Sequence, residues 1–315
     1  MKNIYALAPV YNDWDSFAVL IQEINALKQK TGDYNFYMVA VNDGSTEEIP
    51  NDFDYKDIPV TILNLKINVG HQRAIAVGLQ YIYNEISDND FVVVMDSDGE
   101  DIPAQIEQLV EKAEKEQSKK IIFAQRNKRH ESASFKAGYY FYKKIFRFLT
   151  GQKISFGNFS IIPKNLLGRV IYQNNIWNHY SGGIIQSKIP YDRVLLDRGK
   201  RYKGVSKMNF NSLILHGLSS IAVYFDYLTL KILRYSLYGI LFCILSVGVV
   251  LFKKYITDSA IPGWASSLIL IITVIVLQLF LVTLIVLLLQ LGSRKNVITP
   301  SKKIYLDFIE DIVKH

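Results

Sequence analysis

The sequence has little of what marks several classes of protein. Only one of its 315 residues is a cysteine, Cys243, so no disulfide framework can form, and a single thiol is typical of a reducing compartment. A disordered chain is excluded because 50% of the residues are hydrophobic. The N-terminus lacks a cationic segment followed by a long apolar run, so we expect no signal peptide. The length suggests about two folded domains.

Acidic and basic residues are scarce in different parts of the chain. Residues 1–117 carry a net charge of −13, residues 118–234 carry +17 and residues 235–315 carry +3, within an overall formal charge of +7. A uniformly basic protein would suggest nucleic acid as a partner, but the acidic first third argues against it. We therefore expect no nucleic acid and a lipid bilayer as the anionic surface.

Charge is absent from two long segments near the C-terminus. Tyr235–Phe252 has 18 uncharged residues and Ser259–Ser293 has 35. A membrane span needs about 20 apolar residues, so both segments are predicted transmembrane helices, at about 235–254 and 266–291. A buried helix of a globular protein is the alternative, but such a helix rarely stays apolar on every face. The short connection makes residues 235–293 a hairpin.

Cations flank this hairpin on one side of the membrane. Seven precede the first span and five follow the second, whereas the connection contains only Lys253 and Lys254. The positive-inside rule then predicts a multi-pass protein of the cell (inner or plasma) membrane, with the N-terminal domain and both termini cytoplasmic.

Short apolar runs alternate with helical patterns in the first 125 residues. The predicted strands are Ile4–Val10, Phe36–Val41, Val60–Leu65, Phe91–Met95 and Ile121–Ala124. The predicted helices between them are Phe17–Leu27, Ala74–Ile86 and Ile102–Ala113. This alternation predicts an α/β fold, a mostly parallel sheet with helices on both faces. Ligands of such sheets bind beyond the carboxyl ends of the strands.

The fourth strand ends in the most acidic stretch of the chain, Asp96-Ser97-Asp98-Gly99-Glu100-Asp101. Carboxylates this close repel one another unless a cation is present. Mg²⁺ is commonly held by one or two carboxylates together with substrate phosphates. The stretch is therefore a candidate metal–diphosphate site, with a solvated acidic turn as the alternative.

Four motifs follow predicted strands in a fixed order. They are Pro9-Val10-Tyr11-Asn12, Asn42-Asp43-Gly44-Ser45-Thr46, Asn68-Val69-Gly70-His71-Gln72 and Asp96-Ser97-Asp98. Over about residues 1–230 the arrangement resembles the family 2 glycosyltransferases, which have the Rossmann-like GT-A fold. With two C-terminal spans, the whole chain is similar to the polyprenyl-phosphate glycosyltransferase branch of that family.

The resemblance implies roles for these residues by position. Nucleotide-sugar binding would involve Pro9, Tyr11, Asn12, Asp43, Asn68, His71, Asp96 and Ser97. Asp96 and Asp98 would bind Mg²⁺ or Mn²⁺, and Asp98, Asp101, Arg126 and Arg129 would be catalytic. Many relatives carry Gly-Asp-Phe where this chain has Gly157-Asn158-Phe159, so a general base at that position is missing here.

A basic segment precedes the membrane. Arg198, Arg201, Ser206 and Lys207 match the Arg-x-x-Gly-x-Ser-Lys region of the family, and the resemblance implies that they bind the acceptor phosphate. Guanidinium groups bind phosphate oxygens in pairs, which suits this role. A juxtamembrane patch for anionic lipid head groups is the alternative.

The predicted organisation has four parts: a GT-A domain over 1–210, a juxtamembrane amphipathic helix over 211–234, the two spans over 235–293, and a cytoplasmic tail over 294–315. Phe135–Leu149 has aromatic residues beside cations at helical spacing, which predicts either a second interfacial helix or a core-facing one. The resemblance also permits a homo-oligomer, a tetramer in close relatives.

The predicted function is a metal-dependent inverting glycosyltransferase. It would transfer a sugar from a nucleotide sugar, a UDP-sugar preferred, to undecaprenyl or dolichyl phosphate at the cytoplasmic membrane face. Two alternatives stay open: a synthase that glycosylates a hydroxyl of a glycolipid or polysaccharide, and a non-catalytic membrane module that binds nucleotide sugars.

Overall fold

Each apolar run predicted as a strand forms one in the structure. The structure is a computed structural model that describes residues 1–50, 53–55, 57–88, 90–126, 144, 146–151, 157–203, 221–256, 263–295 and 303–315. The strands are β1 (Lys2–Val10), β2 (Tyr34–Asn42), β3 (Val60–Leu65), β4 (Phe91–Val94), β5 (Ile121–Arg126), β6 (Ser160–Pro163), β7 (Tyr191–Leu196) and β8 (Ile309–Lys314).

The helices of the N-terminal half lie where the apolar spacing predicts them. The α-helices are α1 (Trp14–Thr31), α2 (His71–Glu85), α3 (Ile106–Lys115), α4 (Lys164–Ile171), α5 (Tyr180–Gln186), α6 (Phe225–Tyr255), α7 (Trp264–Lys295) and α8 (Tyr305–Phe308). Short 3₁₀ helices occupy Pro103–Gln105 and Asn174–Trp177. The chain divides into two units, Met1–Tyr140 with Lys153–Val223 and Pro300–His315, and Phe141–Gln152 with Tyr224–Thr299.

The first unit is built on one sheet of eight strands, in the order β7-β5-β6-β4-β1-β2-β3-β8. β1 pairs in parallel with β2 and β4, β2 with β3, and β5 with β7, whereas β6 and β8 run antiparallel to their neighbours. The predicted mostly parallel sheet is therefore confirmed, with two antiparallel additions.

Helices cover both faces of this sheet because successive side chains of a strand point to opposite sides. Tyr5 and Leu7 of β1 pack into the core beneath α2, α4 and α5. Ile4, Ala6 and Ala8 pack into the second core, beneath α1 and α3. The parallel strands β1, β2 and β4 therefore end at a common edge, where the loops after them meet.

The C-terminal segment returns to this sheet. β8 pairs antiparallel with β3, and the backbones of His315 and Val60 exchange two hydrogen bonds, of 2.9 and 3.1 Å. Tyr305 is 1% exposed, and its hydroxyl donates to Glu85 Oε1 at 2.5 Å. Residues 303–315 of the predicted tail are thus part of the folded domain.

The second unit contains the two long helices. Both are long and apolar enough to cross a membrane, by length and composition. Many of their Leu, Ile, Val and Phe side chains are exposed, as lipid-facing residues would be. Where the helices face each other, the hydroxyl of Thr229 donates to Gln290 Oε1 at 3.2 Å, and the Gln290 amide donates to Asp226.

The predicted interfacial helices are described only in part. Of 135–149, residues 144 and 146–149 are described, and they are helical. Of the predicted juxtamembrane helix, residues 211–220 lie outside the described residues, and from Phe225 the chain already belongs to α6. The juxtamembrane part and the first span are therefore one continuous helix from that residue onward.

Candidate active site

The loop after β1 is tied to the loop after β2 through one side chain. Asn12 has a positive φ of 49°, a conformation that asparagine tolerates better than most residues. Its Oδ1 accepts from the backbone N–H groups of Thr46 and Glu47 at 2.8 and 3.0 Å, and its own N–H donates to Ser45 Oγ at 3.0 Å. The side chain predicted to bind the nucleotide thus also holds two loops together.

Asp43 connects the loop after β2 to the turn that precedes α2. It is only 4% exposed, and its two carboxylate oxygens accept from the backbone N–H groups of Val69 and Gly70 at 2.7 and 3.0 Å. Burial raises the pKa of the Asp43 carboxyl, and the two amide donors oppose that rise. The carboxylate therefore shapes the turn that precedes α2.

These two ties create a pocket at the edge of the sheet. It has a volume of about 200 Å³ and is lined by Pro9, Val10, Tyr11, Asp43, Asn68, Gly70 and His71. Five of these seven residues are predicted nucleotide-sugar ligands. Three separate motifs of the sequence therefore converge on one cavity, at the carboxyl ends of the strands, where α/β sheets bind ligands.

The acidic loop, residues 96–101, lies beside this pocket. Its fold is maintained from within, because the N–H of Asp96 donates to Asp101 Oδ2 at 2.9 Å and the N–H of Glu100 donates to Asp98 Oδ1 at 3.0 Å. Ser97 donates from its hydroxyl to the carbonyl of Pro9 at 3.1 Å. Asp101 is 2% exposed, so its carboxylate braces the loop, and its catalytic role stays a prediction.

His71 connects the pocket to the acidic loop. Its Nε2 lies 3.2 Å from Asp96 Oδ1 and 3.1 Å from Asn158 Nδ2. Partial burial of the ring lowers the pKa of His71, but the carboxylates of Asp96, Asp43 and Asp101 outweigh that effect and raise the pKa above its usual value. Asn158 therefore lies in the same site as His71. It occupies the position where the family resemblance implies an acidic residue in many members.

A basic strap, residues 197–203, lies across the acidic loop. The N–H of Gly199 donates to the carbonyl of Glu100 at 2.9 Å, and the N–H of Tyr202 donates to the carbonyl of Asp98 at 2.8 Å. Arg198 forms an ion pair with Glu100. Arg201 donates to Asp98 Oδ2 at 3.1 Å and to Asp13 Oδ2 at 2.7 Å. The two arginines predicted to hold a phosphate thus pair with carboxylates in this structure.

The remaining predicted residues are less completely described. Arg126 is the last residue of β5 and stands in register with Leu196 at the end of β7. Arg129, Ser206 and Lys207 lie outside the described residues. Asp13 is absent from the predicted site set, although it directly follows the first motif. The sequence signal that could have identified Asp13 is its position after a strand end. Its contact with Arg201 depends on how the strap folds, which the sequence does not indicate.

The donor groups of the acidic loop suit a hard divalent cation. Among the residues that the structure describes, no three His, Cys, Asp or Glu side chains form a closed metal-binding group. Burial and then the charge of Asp96 raise the pKa of Asp98, whose side chain is 19% exposed. A cation would relieve both effects, and phosphate oxygens would complete its ligands, as is usual for Mg²⁺. Asp96 and Asp98 therefore fit the predicted metal.

Comparison with known proteins agrees with this geometry. The chain matches Glycosyl transferase family 2 over residues 6–175, more than half of its length. It is 27% identical over 281 residues to the uncharacterized glycosyltransferase YkcC of Bacillus subtilis (strain 168), covering 84% of this chain and 81% of that protein. It is 29% identical over 137 residues to the undecaprenyl-phosphate 4-deoxy-4-formamido-L-arabinose transferase of Pseudomonas syringae pv. syringae (strain B728a), covering 42% of this chain and 38% of that relative.

Solved structures share the fold at low identity. The crystal structure of mannosyl-3-phosphoglycerate synthase from Rubrobacter xylanophilus has a TM-score of 0.52 at 14% identity, covering 70% of this chain and 72% of that one. Glucosyl-3-phosphoglycerate synthase from Mycobacterium tuberculosis, in complex with Mn²⁺, UDP-glucose and phosphoglyceric acid, has a TM-score of 0.51 at 13% identity, covering 72% and 80%. The predicted GT-A architecture is confirmed by these likenesses.

Proposed function

The chain belongs to glycosyl transferase family 2, and from that membership we propose that it is an inverting transferase that glycosylates a polyprenyl phosphate at a membrane face. The donor is a nucleotide sugar, a UDP-sugar preferred. The observation that carries the proposal is the arrangement of the site: a pocket formed by the nucleotide motifs, an acidic loop beside it, and an arginine-bearing strap over that loop.

On the donor side, the pocket supplies the nucleotide contacts. Pro9, Tyr11 and Asn68 line it, while Asp43 holds the turn that forms its far wall. The sugar diphosphate then extends toward Asp96 and Asp98. A divalent ion held by these two carboxylates would offset the negative charge of the departing diphosphate.

On the acceptor side, the chain needs no general base. A phosphate monoester has a second pKa of about 6, so its oxygen is already largely anionic at neutral pH. A hydroxyl acceptor would have to lose a proton, and the position where many relatives carry a carboxylate is Asn158 in this chain. The printed name of the Pseudomonas relative, an undecaprenyl-phosphate transferase, also supports a lipid phosphate as acceptor.

The reaction is a single displacement at the anomeric carbon of the sugar. An acceptor phosphate oxygen forms the new bond to that carbon, and the bond from the carbon to the diphosphate oxygen breaks. The nucleoside diphosphate leaves with the bonding electrons, so charge balances without transfer of a proton. Arg198 and Arg201 would orient the acceptor phosphate by paired hydrogen bonds.

The return of β8 to the sheet supports the predicted membrane orientation. The hairpin leaves the first unit after residue 223, and the chain rejoins that unit at β8, which pairs with β3. Paired strands must lie on the same side of a bilayer, so the membrane is crossed an even number of times between them. Two spans satisfy this condition, and the excess of cations on the flanks supports the cytoplasm as that side.

The test is a transfer assay on membranes that contain the protein. Labelled UDP-sugars and GDP-sugars are supplied one at a time with Mn²⁺ or Mg²⁺ and with undecaprenyl or dolichyl phosphate, and the products are identified by mass. We expect one acid-labile glycosyl-phosphate lipid and one equivalent of nucleoside diphosphate.

The matched variants are Asp98→Asn, which removes a metal-binding carboxylate, and Asp15→Asn, which removes an exposed carboxylate outside the pocket. Asp98→Asn should abolish transfer, and Asp15→Asn should retain it. Consumption of a nucleotide sugar only with a glycolipid hydroxyl as acceptor would favour the synthase alternative. Nucleotide binding without turnover of any donor would favour the non-catalytic module.

A further inference from the structure

The guanidinium of Arg201 occupies an unusual position between two carboxylates. Its Nη1 donates to Asp98 Oδ2 at 3.1 Å and its Nη2 donates to Asp13 Oδ2 at 2.7 Å. The three side chains are 24%, 19% and 18% exposed, so this ion pair is partly withdrawn from water. An ion pair in such surroundings is stronger than one on the surface.

The position of Arg201 is maintained by the backbone of the strap. Gly199 and Tyr202, on either side of it in sequence, donate from their backbone N–H groups to carbonyls of the acidic loop. The ring of Tyr202 lies against Gly99, and its hydroxyl donates to Glu23 Oε2 at 2.7 Å. Arg201 is therefore fixed on a segment that is itself anchored at three points.

We infer that Arg201 is the resident counter-ion of the candidate metal site and that Asp13 is its second anchor, a positioning residue. In the structure the guanidinium pairs with Asp98 and with Asp13. A divalent ion held by Asp98 would compete for that carboxylate, and Arg201, still paired with Asp13, would then have Nη1 available for a phosphate. The inference rests on the proposed function and adds an order to it: the acceptor-binding group is released only by donor and metal.

The physical basis is competition between two cations for one carboxylate. A guanidinium and a divalent ion repel each other at a shared ligand, so each lowers the affinity of the other by the same factor. Removal of Arg201 should therefore strengthen metal binding. Removal of Asp13 should weaken it, because Arg201 is then left with Asp98 as its one carboxylate partner among the contacts seen here.

The experiment measures binding of Mn²⁺ alone to the full-length protein in detergent, from the loss of the free-ion signal in electron paramagnetic resonance. Coupling energies between sites are typically worth about 5- to 150-fold in affinity. We expect Arg201→Gln to bind Mn²⁺ at least about fivefold more tightly than the wild type. Arg198→Gln, which removes the same charge from the same strap but pairs with Glu100, is the matched control and should change affinity much less.

The direction in which Asp13→Asn changes the affinity for Mn²⁺ provides an independent test. Asp13→Asn should weaken Mn²⁺ binding more than Asp15→Asn does, and this difference should disappear in the Arg201→Gln background. Equal effects of Arg201→Gln and Arg198→Gln would overturn the inference. So would a loss from Asp13→Asn that persists without Arg201, because Asp13 would then act on the metal directly.

The result of the Mn²⁺ binding measurement can be distinguished from the result of the transfer assay that tests the proposed function. The measurement needs neither sugar nor lipid, so absent transfer activity combined with the expected Mn²⁺ pattern would reject the acceptor and keep the inference. Normal transfer by the wild type, with a Mn²⁺ affinity that Arg201→Gln leaves unchanged, would reject the inference alone. If Mn²⁺ binds no form of the protein, with or without UDP, both the metal-dependent mechanism and the inference fail.

Discussion

The side chains of Asp43 and Asn12 maintain the shape of the pocket through hydrogen bonds to neighbouring loops. Each has a polar side chain at the end of a strand, and each uses its oxygen atoms on backbone N–H groups of a neighbouring loop. The hydrogen bonds of Asp43 are partly buried, whereas those of Asn12 are exposed. A backbone donor that loses its acceptor away from water costs more free energy than an ordinary hydrogen bond contributes, so we expect the larger loss at Asp43. These two residues therefore maintain the geometry of the site, and their roles in binding the nucleotide sugar stay predictions.

The first prediction concerns Asp43. Asp43→Ala leaves the N–H groups of Val69 and Gly70 without this acceptor and should lower the free energy of unfolding by about 1–3 kcal/mol. Asp43→Asn keeps one acceptor oxygen and should lose less. Thermal unfolding and titration with UDP provide the measurements. If Asp43→Ala loses UDP binding at unchanged stability, the carboxylate binds the ligand and is not needed to maintain the turn.

Gly99 is a second residue whose identity the site requires. Its φ is +90°, and a Cβ there would lie 2.7 Å from the ring of Tyr202. We predict that Gly99→Ala destabilises the protein by about 1–3 kcal/mol through backbone strain and displaces the strap. Trypsin should then cleave faster within residues 198–203. Gly157→Ala is the control, because an added Cβ there meets no atom within 4 Å. Equal digestion rates for the two variants would show that Gly99 does not position the strap.

At the level of residues, the sequence predicts part of the site. Pro9 is the penultimate residue of β1, and Tyr11, Asp43, Asn68 and His71 follow strand ends. Parallel strands end at a common edge, so the convergence of these residues could be foreseen. The pairing of Arg201 with Asp13 and Asp98 could not, because it depends on a strap about 100 residues away in sequence from the acidic loop. No periodicity in the sequence records such a loop-to-loop contact.

Among the elements, α8 and β8 are short but complete one edge of the sheet. They total ten residues, yet they extend the sheet at the β3 edge and insert Tyr305 into the core beside Tyr81. An edge strand that ends a chain is a weak sequence signal, since only one of its faces is buried. Ile309-Glu310-Asp311-Ile312-Val313 lacks regular alternation, and its partner strand lies about 250 residues earlier.

The third prediction tests how this segment is held. Tyr305→Ala should cost about 3–5 kcal/mol, as other large-to-small changes in cores do, and should release β8. Proteolysis at Lys303 and Lys314 is the measurement. Leu306→Ala is the control, since Leu306 is 51% exposed, and Tyr305→Phe should lose only about 1 kcal/mol with the hydrogen bond to Glu85. Equal protease resistance of all three variants would mean that the strand pairing alone holds the segment.

The regular elements of the first 125 residues were predictable for a physical reason. Their strands are largely buried on both faces, α1 and α3 are buried on one face, and α2 is buried on all faces from Ala74 to Ile82. Burial therefore imposes the apolar runs and the helical spacing directly. The antiparallel strands β6 and β8 depend instead on which edge of the sheet is available, which is a property of the assembled fold. The continuity of α6 across residue 234 was missed because charged residues there, Lys231 and Arg234, resemble a boundary although the helix continues.

For the whole molecule, the distribution of charge corresponds to the order of the parts along the chain. The acidic third contributes Asp13, Asp43, Asp96 and Asp98 to the site, and the basic third contributes the strap that neutralises two of them. The uncharged hairpin follows directly. Helix α6 has 31 residues, hence a length of about 46 Å, which exceeds the hydrocarbon core of about 30 Å. Helix α6 is therefore longer than a bilayer span requires.

The last prediction concerns the sidedness of this arrangement. In a Cys243→Ser background, which has no other thiol, single cysteines are introduced as Lys254→Cys at the end of α6 and Glu310→Cys in β8. Because β8 pairs with β3, Glu310 lies on the side of the folded domain. If both long helices span the bilayer, the connection between α6 and α7 lies on the other side. A membrane-impermeant maleimide applied to intact spheroplasts should then label position 254 and reach position 310 only after lysis. The same behaviour of both positions, labelled in intact spheroplasts or only after lysis, would mean that the helices do not span the bilayer. The reverse pattern would place the active site outside the cell, where nucleotide sugars are not supplied.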